Sequence, residues 1–194
     1  MTSLPKANLR RDARRLRKEL AATATMGVAT HLAGNFLEGP LAAWKETRQP
    51  VIAGYWPFGT EIDTKPLLMM LIERGYEVVL PVTDTVRQAL LFRKWAPGMD
   101  LVSDGMGMKC PPPTAPMMAP DIMIAAALAF DRSGHRMGYG TGYYDMTINS
   151  LRAARPIVAV TVAYAGQEVD TINPGPHDEK VDWIVTEQYA FKIE

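Results

Sequence analysis

The chain carries one cysteine in 194 residues, Cys110, so no intramolecular disulfide can form and the expected setting is a reducing compartment. Long hydrophobic runs are also missing. The longest uninterrupted apolar stretch, residues 122–130, is far shorter than the roughly 20 residues that cross a bilayer. No apolar signal core follows the N-terminus, and Asp12 and Glu19 break the resemblance of the arginine-rich start to an organelle presequence. Formal net charge is zero, which argues against bulk nucleic-acid binding and against a membrane-surface role. These absences leave a cytoplasmic enzyme or binding protein as the expectation.

What is present fits one globular domain of ordinary composition, 47% hydrophobic and 22% charged. The zero balance hides an asymmetry: seven of the 21 basic residues fall between Lys6 and Lys18, so the remainder is net acidic. Residues 5–22 read as a helix, with proline near the start and Leu9, Ala13, Leu16 and Leu20 on one side. Lys6, Arg10 and Arg14 fall four apart and form a basic ridge on it. Further helices are predicted over 26–37, ended by Gly39-Pro40, over 65–74 with Pro66 in its first turn, and from Gly142 to about 154. Strands are predicted over 51–55, 77–80, 89–93, 121–127, 157–162 and 183–185, and residues 97–120, rich in Gly, Pro and Met, as a long loop over a site. Strands alternating with helices predict a single three-layer α/β domain with a mostly parallel central sheet flanked by helices. Ligands in such sheets bind at the carboxyl ends of strands, where residues 56–64 and 130–145 fall.

The segment 130–145 reads F-D-R-S-G-H-R-M-G-Y-G-T-G-Y-Y-D. Gly138, Gly140 and Gly142 alternate with single residues, leaving backbone N–H groups unshielded by Cβ atoms, a shape suited to phosphate oxygens. Arg136 can add charge, and Asp145 can hold a divalent metal against the same phosphates. The spacing is neither the dinucleotide G-x-G-x-x-G nor a P-loop, which requires a following Lys-Ser or Lys-Thr, so a structural loop stays open as the other reading. The basic ridge is a solvated face, a nucleic-acid arm, or a cover over a nucleotide; periodicity does not choose among them. Trp56 and Phe58 beside Glu61 are core aromatics with a stray acid, or a platform for a flat, nitrogen-rich heterocycle. Asp178 follows a Pro-Gly-Pro turn and becomes a second metal carboxylate if the fold brings it to Asp145. Cys110 has no evident base near it in sequence and reads as buried rather than reactive.

Taken together these segments resemble the 5-formyltetrahydrofolate cyclo-ligase, or methenyltetrahydrofolate synthetase, family. The resemblance rests on K-x-x-L-R from Lys6 to Arg10, the Glu61-Ile62-Asp63-Thr64 box, Leu-Ala-Phe-Asp ending at Asp131, and R-M-G-Y-G-T-G-Y-Y-D from Arg136 to Asp145. It continues through Ala-Tyr-x-x-Gln ending at Gln167, His177-Asp178 and Thr186-Glu187. It implies ring closure of 5-formyltetrahydrofolate, with or without a polyglutamate tail, driven by ATP with Mg2+. A cytoplasmic monomer with no nucleic-acid or membrane partner is the accompanying expectation. By the same resemblance Lys6, Arg10 and Arg14 contact ATP phosphates. Arg136, Gly138, Tyr139, Gly140, Thr141, Gly142, Tyr143 and Tyr144 wrap the nucleotide, and Asp145 and Asp178 hold magnesium. Trp56 and Glu61 bind the pterin, and Tyr143 lies between folate and ATP, with Lys6, Arg10 and Tyr143 closest to the chemistry. The pattern departs from the family at Ala125-Ala126-Ala127, where a Val-Pro-Gly-like turn is usual, and at Cys110, where an acid is expected. A divergent relative that binds both ligands with altered turnover, and a non-enzymatic binding module, are the alternatives.

Overall fold

Residues 122–126 read Ile-Met-Ile-Ala-Ala and residues 51–53 Val-Ile-Ala, and strands apolar on both faces need a helical layer on each side. The computed structural model of the chain, which describes residues 6–83 and 88–194 and only the backbone of residues 6 and 7, supplies both layers. In chain order the elements are α1 (Lys6–Thr23), α2 (Gly27–Phe36), β1 (Val51–Ala53), α3 (Lys65–Glu73), β2 (Glu77–Val82), β3 (Leu91–Trp95), β4 (Val102–Ser103) and β5 (Lys109–Cys110). They continue with β6 (Ile122–Ala126), β7 (Ala129–Phe130), β8 (Arg136–Met137), α4 (Tyr143–Ala154), β9 (Val158–Val162), β10 (Trp183–Val185) and β11 (Ala190–Lys192).

The main sheet has seven strands in the order β11-β10-β9-β6-β1-β2-β3. Its five central strands are parallel and its edge strands β3 and β11 antiparallel. Side chains alternate between the layers as strand geometry requires. Ile52, Val78, Ile122, Ile124 and Val160 pack with Leu32 and Phe36 of α2 and Leu67, Leu68 and Leu71 of α3. Ala53, Val79, Met123, Ala159 and Ile184 face the other way, onto Ile148 of α4. The three-layer α/β domain with a mostly parallel sheet is therefore as the sequence predicts.

Several boundaries differ, each for a local reason. The outer strand is Leu91–Trp95 rather than 89–93, because its pairing to β2 places Phe92 and Trp95 inward. The second helix does not stop at Gly39-Pro40: it widens into a π-helical segment, Leu37–Leu41, in which the Ala42 N–H donates to the Leu37 carbonyl five residues back at 3.1 Å. That wider turn accommodates Pro40, which has no N–H to give. Residues 97–120 contain the short hairpin β4–β5, closed by Asp104, whose Oδ1 accepts from the Met106 and Met108 N–H groups at 2.9 Å each. The stretch between β6 and the glycines is a second hairpin, β7–β8.

Because β1 feeds rightward into β2 while β6 feeds the other way into β9, the crossovers diverge between β1 and β6. A crevice opens there at the carboxyl ends of the strands. Beyond β1 the chain passes close under α3: a Cβ on Gly54 would lie 2.3 Å from Leu68 Cδ2, so any side chain there would have to displace that buried leucine. At the opposite end of the same two strands, Asp121 accepts from Arg48 Nη1 and Nη2 at 2.6 and 2.7 Å and from the Val51 N–H at 2.8 Å, and pairs with Arg155 Nη1 at 2.9 Å. Burial raises the pKa of this carboxyl, but the hydrogen bonds from Arg48 and Val51 and the charge of Arg155 outweigh it and hold it below the usual range. A depressed folded pKa stabilises the fold above the unfolded value and loses that contribution as pH falls through the folded one. Asp121→Asn is expected to cost about 1–3 kcal/mol near neutral pH, because its arginine partners can still reach water. Urea unfolding should then show a smaller loss between about pH 7 and about pH 3 than in the unmodified protein; an equal acid loss would exclude Asp121 as a source of it.

Candidate active site

The crevice is a cavity of about 390 Å3, within the range of small-molecule sites. It gathers the residues after β1 (Trp56, Phe58, Glu61), the end of β6 (Ala126, Ala127) and the hairpin β4–β5 (Asp104, Met106, Met108, Lys109). Arg10 of α1, the run from Arg136 to Asp145, and Asp178 complete its wall. Of the residues singled out from sequence, Arg10, Trp56, Glu61, Arg136, Gly138, Tyr139, Gly140, Thr141, Gly142, Tyr143, Tyr144, Asp145 and Asp178 all line this one cavity. Arg14 does not line it: its guanidinium carbon lies 5.3 Å from the Tyr139 ring centroid. The Lys6 side chain lies outside the described residues.

The glycine loop is built by its backbone. Gly140 and Gly142 have φ of +99° and +75°, a region that disfavours any side chain. A Cβ on Gly140 would also sit 3.1 Å from Arg10 Cζ, so the glycine lets the arginine lie flat on the loop, where Arg10 Nε donates to the Gly138 carbonyl at 3.2 Å. Gly142 is the N-cap of α4, and among the described residues no side chain caps it. The first-turn N–H groups of α4 therefore open on the cavity at the positive end of the helix dipole. Behind them Arg136, with its side chain 3% exposed, donates through Nη2 to Asp145 Oδ1 at 2.8 Å, and its guanidinium carbon lies 5.4 Å from the Tyr144 ring centroid. Burial lowers the Arg136 pKa and Asp145 opposes the shift. Its buried Nε has no hydrogen-bond partner among the described residues, a donor that an anionic ligand can satisfy.

The loop is anchored from below. Asp131 Oδ1 accepts from Ser133 N and Oγ at 2.9 and 2.7 Å and from His135 N at 3.1 Å, and Oδ2 accepts from Ile172 N at 2.8 Å, which closes the β7–β8 hairpin. Gln167 Nε2 donates to the Ala127 and Leu128 carbonyls at 2.9 and 3.0 Å, fixing the turn that follows Ala125-Ala126. Burial, followed by the charge of Glu61, pushes the Tyr144 pKa up, so this phenol stays neutral.

Across the cavity Glu61 has a side chain 5% exposed, with Oε2 accepting from the Phe58 N–H at 2.9 Å and Oε1 3.6 Å from Arg17 Nη1. Burial raises its pKa, and the Phe58 bond and the Arg17 charge work against the rise. Trp56 beside it packs edge-on to Trp95, centroids 5.9 Å apart. Asp63 accepts from the Lys65 N–H at 3.0 Å in the first turn of α3, while Thr64 turns its hydroxyl to the Tyr55 carbonyl at 2.7 Å. Cys110 is buried, and its thiol pKa is pushed up by burial and by Asp104, which suits an inert side chain.

Asp145 and Asp178 stand on the same wall: Asp145 Oδ1 also accepts from the Glu179 N–H at 3.1 Å, next to Asp178, whose Oδ2 accepts from Gly175 N at 2.7 Å. Among the described residues no three acidic, histidine or cysteine side chains converge as a self-sufficient metal cage. Two carboxylates beside a phosphate cradle do fit magnesium, which takes few protein ligands and shares the rest of its shell with phosphate oxygens and water. The residue that sequence reading passed over is Arg17, which stands seven after Arg10 and three after Arg14 and so continues their face of α1 inward.

Fold and site define an α/β protein with a ligand cavity at the switch point of its sheet, part of its lining glycine-rich with arginines and two aspartates, part aromatic with a glutamate. The chain belongs to the 5-formyltetrahydrofolate cyclo-ligase family, whose family model matches residues 3–187. It is 34% identical over 158 residues to the 5-formyltetrahydrofolate cyclo-ligase of Mycolicibacterium smegmatis, covering 77% of this chain and 79% of that protein. It is 28% identical over 181 residues to the protein of the same name from Haemophilus influenzae, covering 89% and 92%. The solved structure of Aquifex aeolicus 5,10-methenyltetrahydrofolate synthetase superposes with a TM-score of 0.78 at 22% identity, over 98% of this chain and 94% of that one. The Mycoplasma pneumoniae 5,10-methenyltetrahydrofolate synthetase gives 0.69 at 18% identity, over 95% and 99%. These two likenesses support the fold.

Proposed function

We propose that the protein is an ATP-dependent 5-formyltetrahydrofolate cyclo-ligase that forms 5,10-methenyltetrahydrofolate. The observation that carries this reading is the joining of two unlike walls in one cavity: a glycine loop with buried Arg136, and Glu61 with Trp56. Family membership says which pair of ligands to expect there. In the reaction the formyl oxygen attacks the γ-phosphorus of ATP, the β–γ P–O bond breaks and ADP leaves. N10 of the folate then attacks the activated formyl carbon and the C–O bond breaks. Phosphate departs, carrying in effect the N10 proton, so no external base is consumed. Amide oxygen is a poor leaving group until phosphorylated, and phosphoryl transfer needs positioning and charge more than a covalent nucleophile.

Under this reading Lys6 and Arg10 hold the triphosphate. The Gly138–Gly142 backbone and the α4 N-terminus cradle it, with Arg136, Tyr139, Thr141 and Tyr144 around it, and Arg14, beside the Tyr139 ring, adds charge. Glu61 accepts hydrogen bonds from pterin N–H groups while Trp56 packs on the ring, and Tyr143 separates the two substrates. Asp145 and Asp178 are the carboxylates that hold magnesium, which neutralises phosphate charge when bound. The reading includes a polyglutamylated folate as substrate, a monomer and a cytoplasmic location, which the lone buried Cys110 suits. Among the described residues no helix is long and apolar enough to cross a membrane.

The test is to mix protein, MgATP and 5-formyltetrahydrofolate and follow the methenyl chromophore in the near ultraviolet. Its ATP-dependent appearance is expected; binding of both ligands by calorimetry without a chromophore would favour a divergent relative, and salt-sensitive nucleic-acid binding a docking module. Arg10→Ala is expected to weaken apparent ATP affinity about tenfold or more while leaving folate binding intact, the loss of one charged hydrogen-bond donor. An unchanged ATP affinity would remove Arg10 from the phosphate site.

A further inference from the structure

We propose that Arg17 is the positioning residue of the folate wall: it holds the Glu61 side chain charged and facing the cavity, and fixes that wall to the glycine loop. The inference rests on the reading of Glu61 as the pterin-binding carboxylate. Arg17 is 3% exposed, the most deeply placed basic residue of an otherwise solvated helix face. Each of its nitrogens is engaged: Nε donates to Thr60 Oγ1 at 3.2 Å, Nη1 to the Ala127 carbonyl at 3.4 Å, and Nη2 to the Tyr139 hydroxyl. Thr60 belongs to the segment after β1 that carries Glu61, Ala127 follows directly on β6, and Tyr139 belongs to the glycine loop. One guanidinium thus ties three walls together, a task its planar fork suits and a lysine's single ammonium does not.

Its relation to Glu61 is of a different kind. At 3.6 Å, Nη1 and Glu61 Oε1 form a buried ion pair without a close hydrogen bond, side chains 4% and 5% exposed. Oε2 is occupied by the Phe58 N–H, so Oε1 remains the oxygen with room for a ligand donor. A carboxylate buried this deeply takes up a proton readily unless a cation faces it. The other titratable groups acting in this cluster are the hydroxyls of Tyr55, after β1, and Tyr144, on α4, with Tyr164, after β9, facing Arg17 in turn. Burial raises the pKa of all three, so they stay neutral, and Arg17 is the cation that lowers the Glu61 pKa. A pterin edge donates N–H groups, and a protonated acid offers it a poorer partner. Folate binding should therefore fail on the acid side at a pH set by the Arg17–Glu61 pair.

A merely structural arginine would change stability or affinity but not the position of that acid limb. The experiment is calorimetric titration of 5-formyltetrahydrofolate into the full chain from about pH 5 to about pH 8, with folding checked by circular dichroism. In Arg17→Met and Arg17→Gln the midpoint of the limb is expected to move upward by about one pH unit, with affinity recovering as pH rises. Gln keeps a donor for the Ala127 carbonyl and carries the test if the methionine variant does not fold. Arg17→Lys should leave the midpoint near that of the unmodified protein, and so should Tyr139→Phe, which removes a partner of Arg17 but not its charge. Glu61→Gln should bind weakly with no limb. Neutral Arg17 variants whose limb does not move, while Glu61→Gln abolishes it, would overturn the Arg17 assignment alone. A Glu61→Gln variant with unmodified folate affinity and an intact limb would overturn the Glu61 reading beneath it.

Discussion

The structure depends on the divergence of its chain at the centre of the sheet. β1 and β6 lie side by side and parallel, but one leads away toward β2 and the other toward β9, so no crossover covers the gap above their carboxyl ends. Both strands end there with backbone groups that the sheet no longer pairs, and those groups have to be satisfied from elsewhere. The chain supplies the partners from distant segments: Gln167 and Arg17 for the Ala127 carbonyl, Gln167 alone for Leu128, and Thr64 for the carbonyl of Tyr55. The crevice stays open because its rim is held by these side chains rather than filled by them.

Both signs of charge line that rim. Arg10 and Arg136 stand with the glycine loop and the α4 N-terminus, together with Asp145 and Asp178, while Glu61 stands with Trp56 and Phe58. Arg17 is the buried cation between the two, and α1 provides both it and Arg10. Of the basic residues spaced along this face of α1, Arg10 reaches the cavity wall and Arg17 is buried, while Arg14 between them is exposed. The place of the helix is fixed by side-chain bonds to loops as well as by apolar contact with the residues around Gly166, where a Cβ would meet Leu20 Cδ2 at 2.8 Å.

The sequence made much of this legible, for physical reasons that can be named. Parallel strands apolar on both faces leave uninterrupted runs such as 122–126, and glycines alternating with Tyr139 and Thr141 mark a loop that must adopt positive φ. Glu61 stood out as an acid with no helical task. What periodicity did not reveal were features fixed by tertiary partners. The edge strand shifted from 89–93 to Leu91–Trp95 because its register follows β2, and the two small hairpins rest on Asp104 and Asp131, whose roles depend on the backbone folding around them. The π-helical turn at Leu37–Leu41 answers to Pro40 and to packing against β11, which no helical pattern encodes. Arg17 was hidden among six basic neighbours, although its spacing from Arg10 and Arg14 puts it on their face. Spacing shows that it shares the face; only the fold shows that this face turns inward there.

The central claim is that one cavity receives a nucleotide and a folate at the same time, on opposite walls. The direct measurement is calorimetric titration of 5-formyltetrahydrofolate into protein already saturated with magnesium and a non-hydrolysable ATP analogue. The account predicts a ternary complex with one of each ligand per chain and folate affinity equal to or tighter than without the analogue. Competition, in which saturating nucleotide displaces the folate, would contradict it.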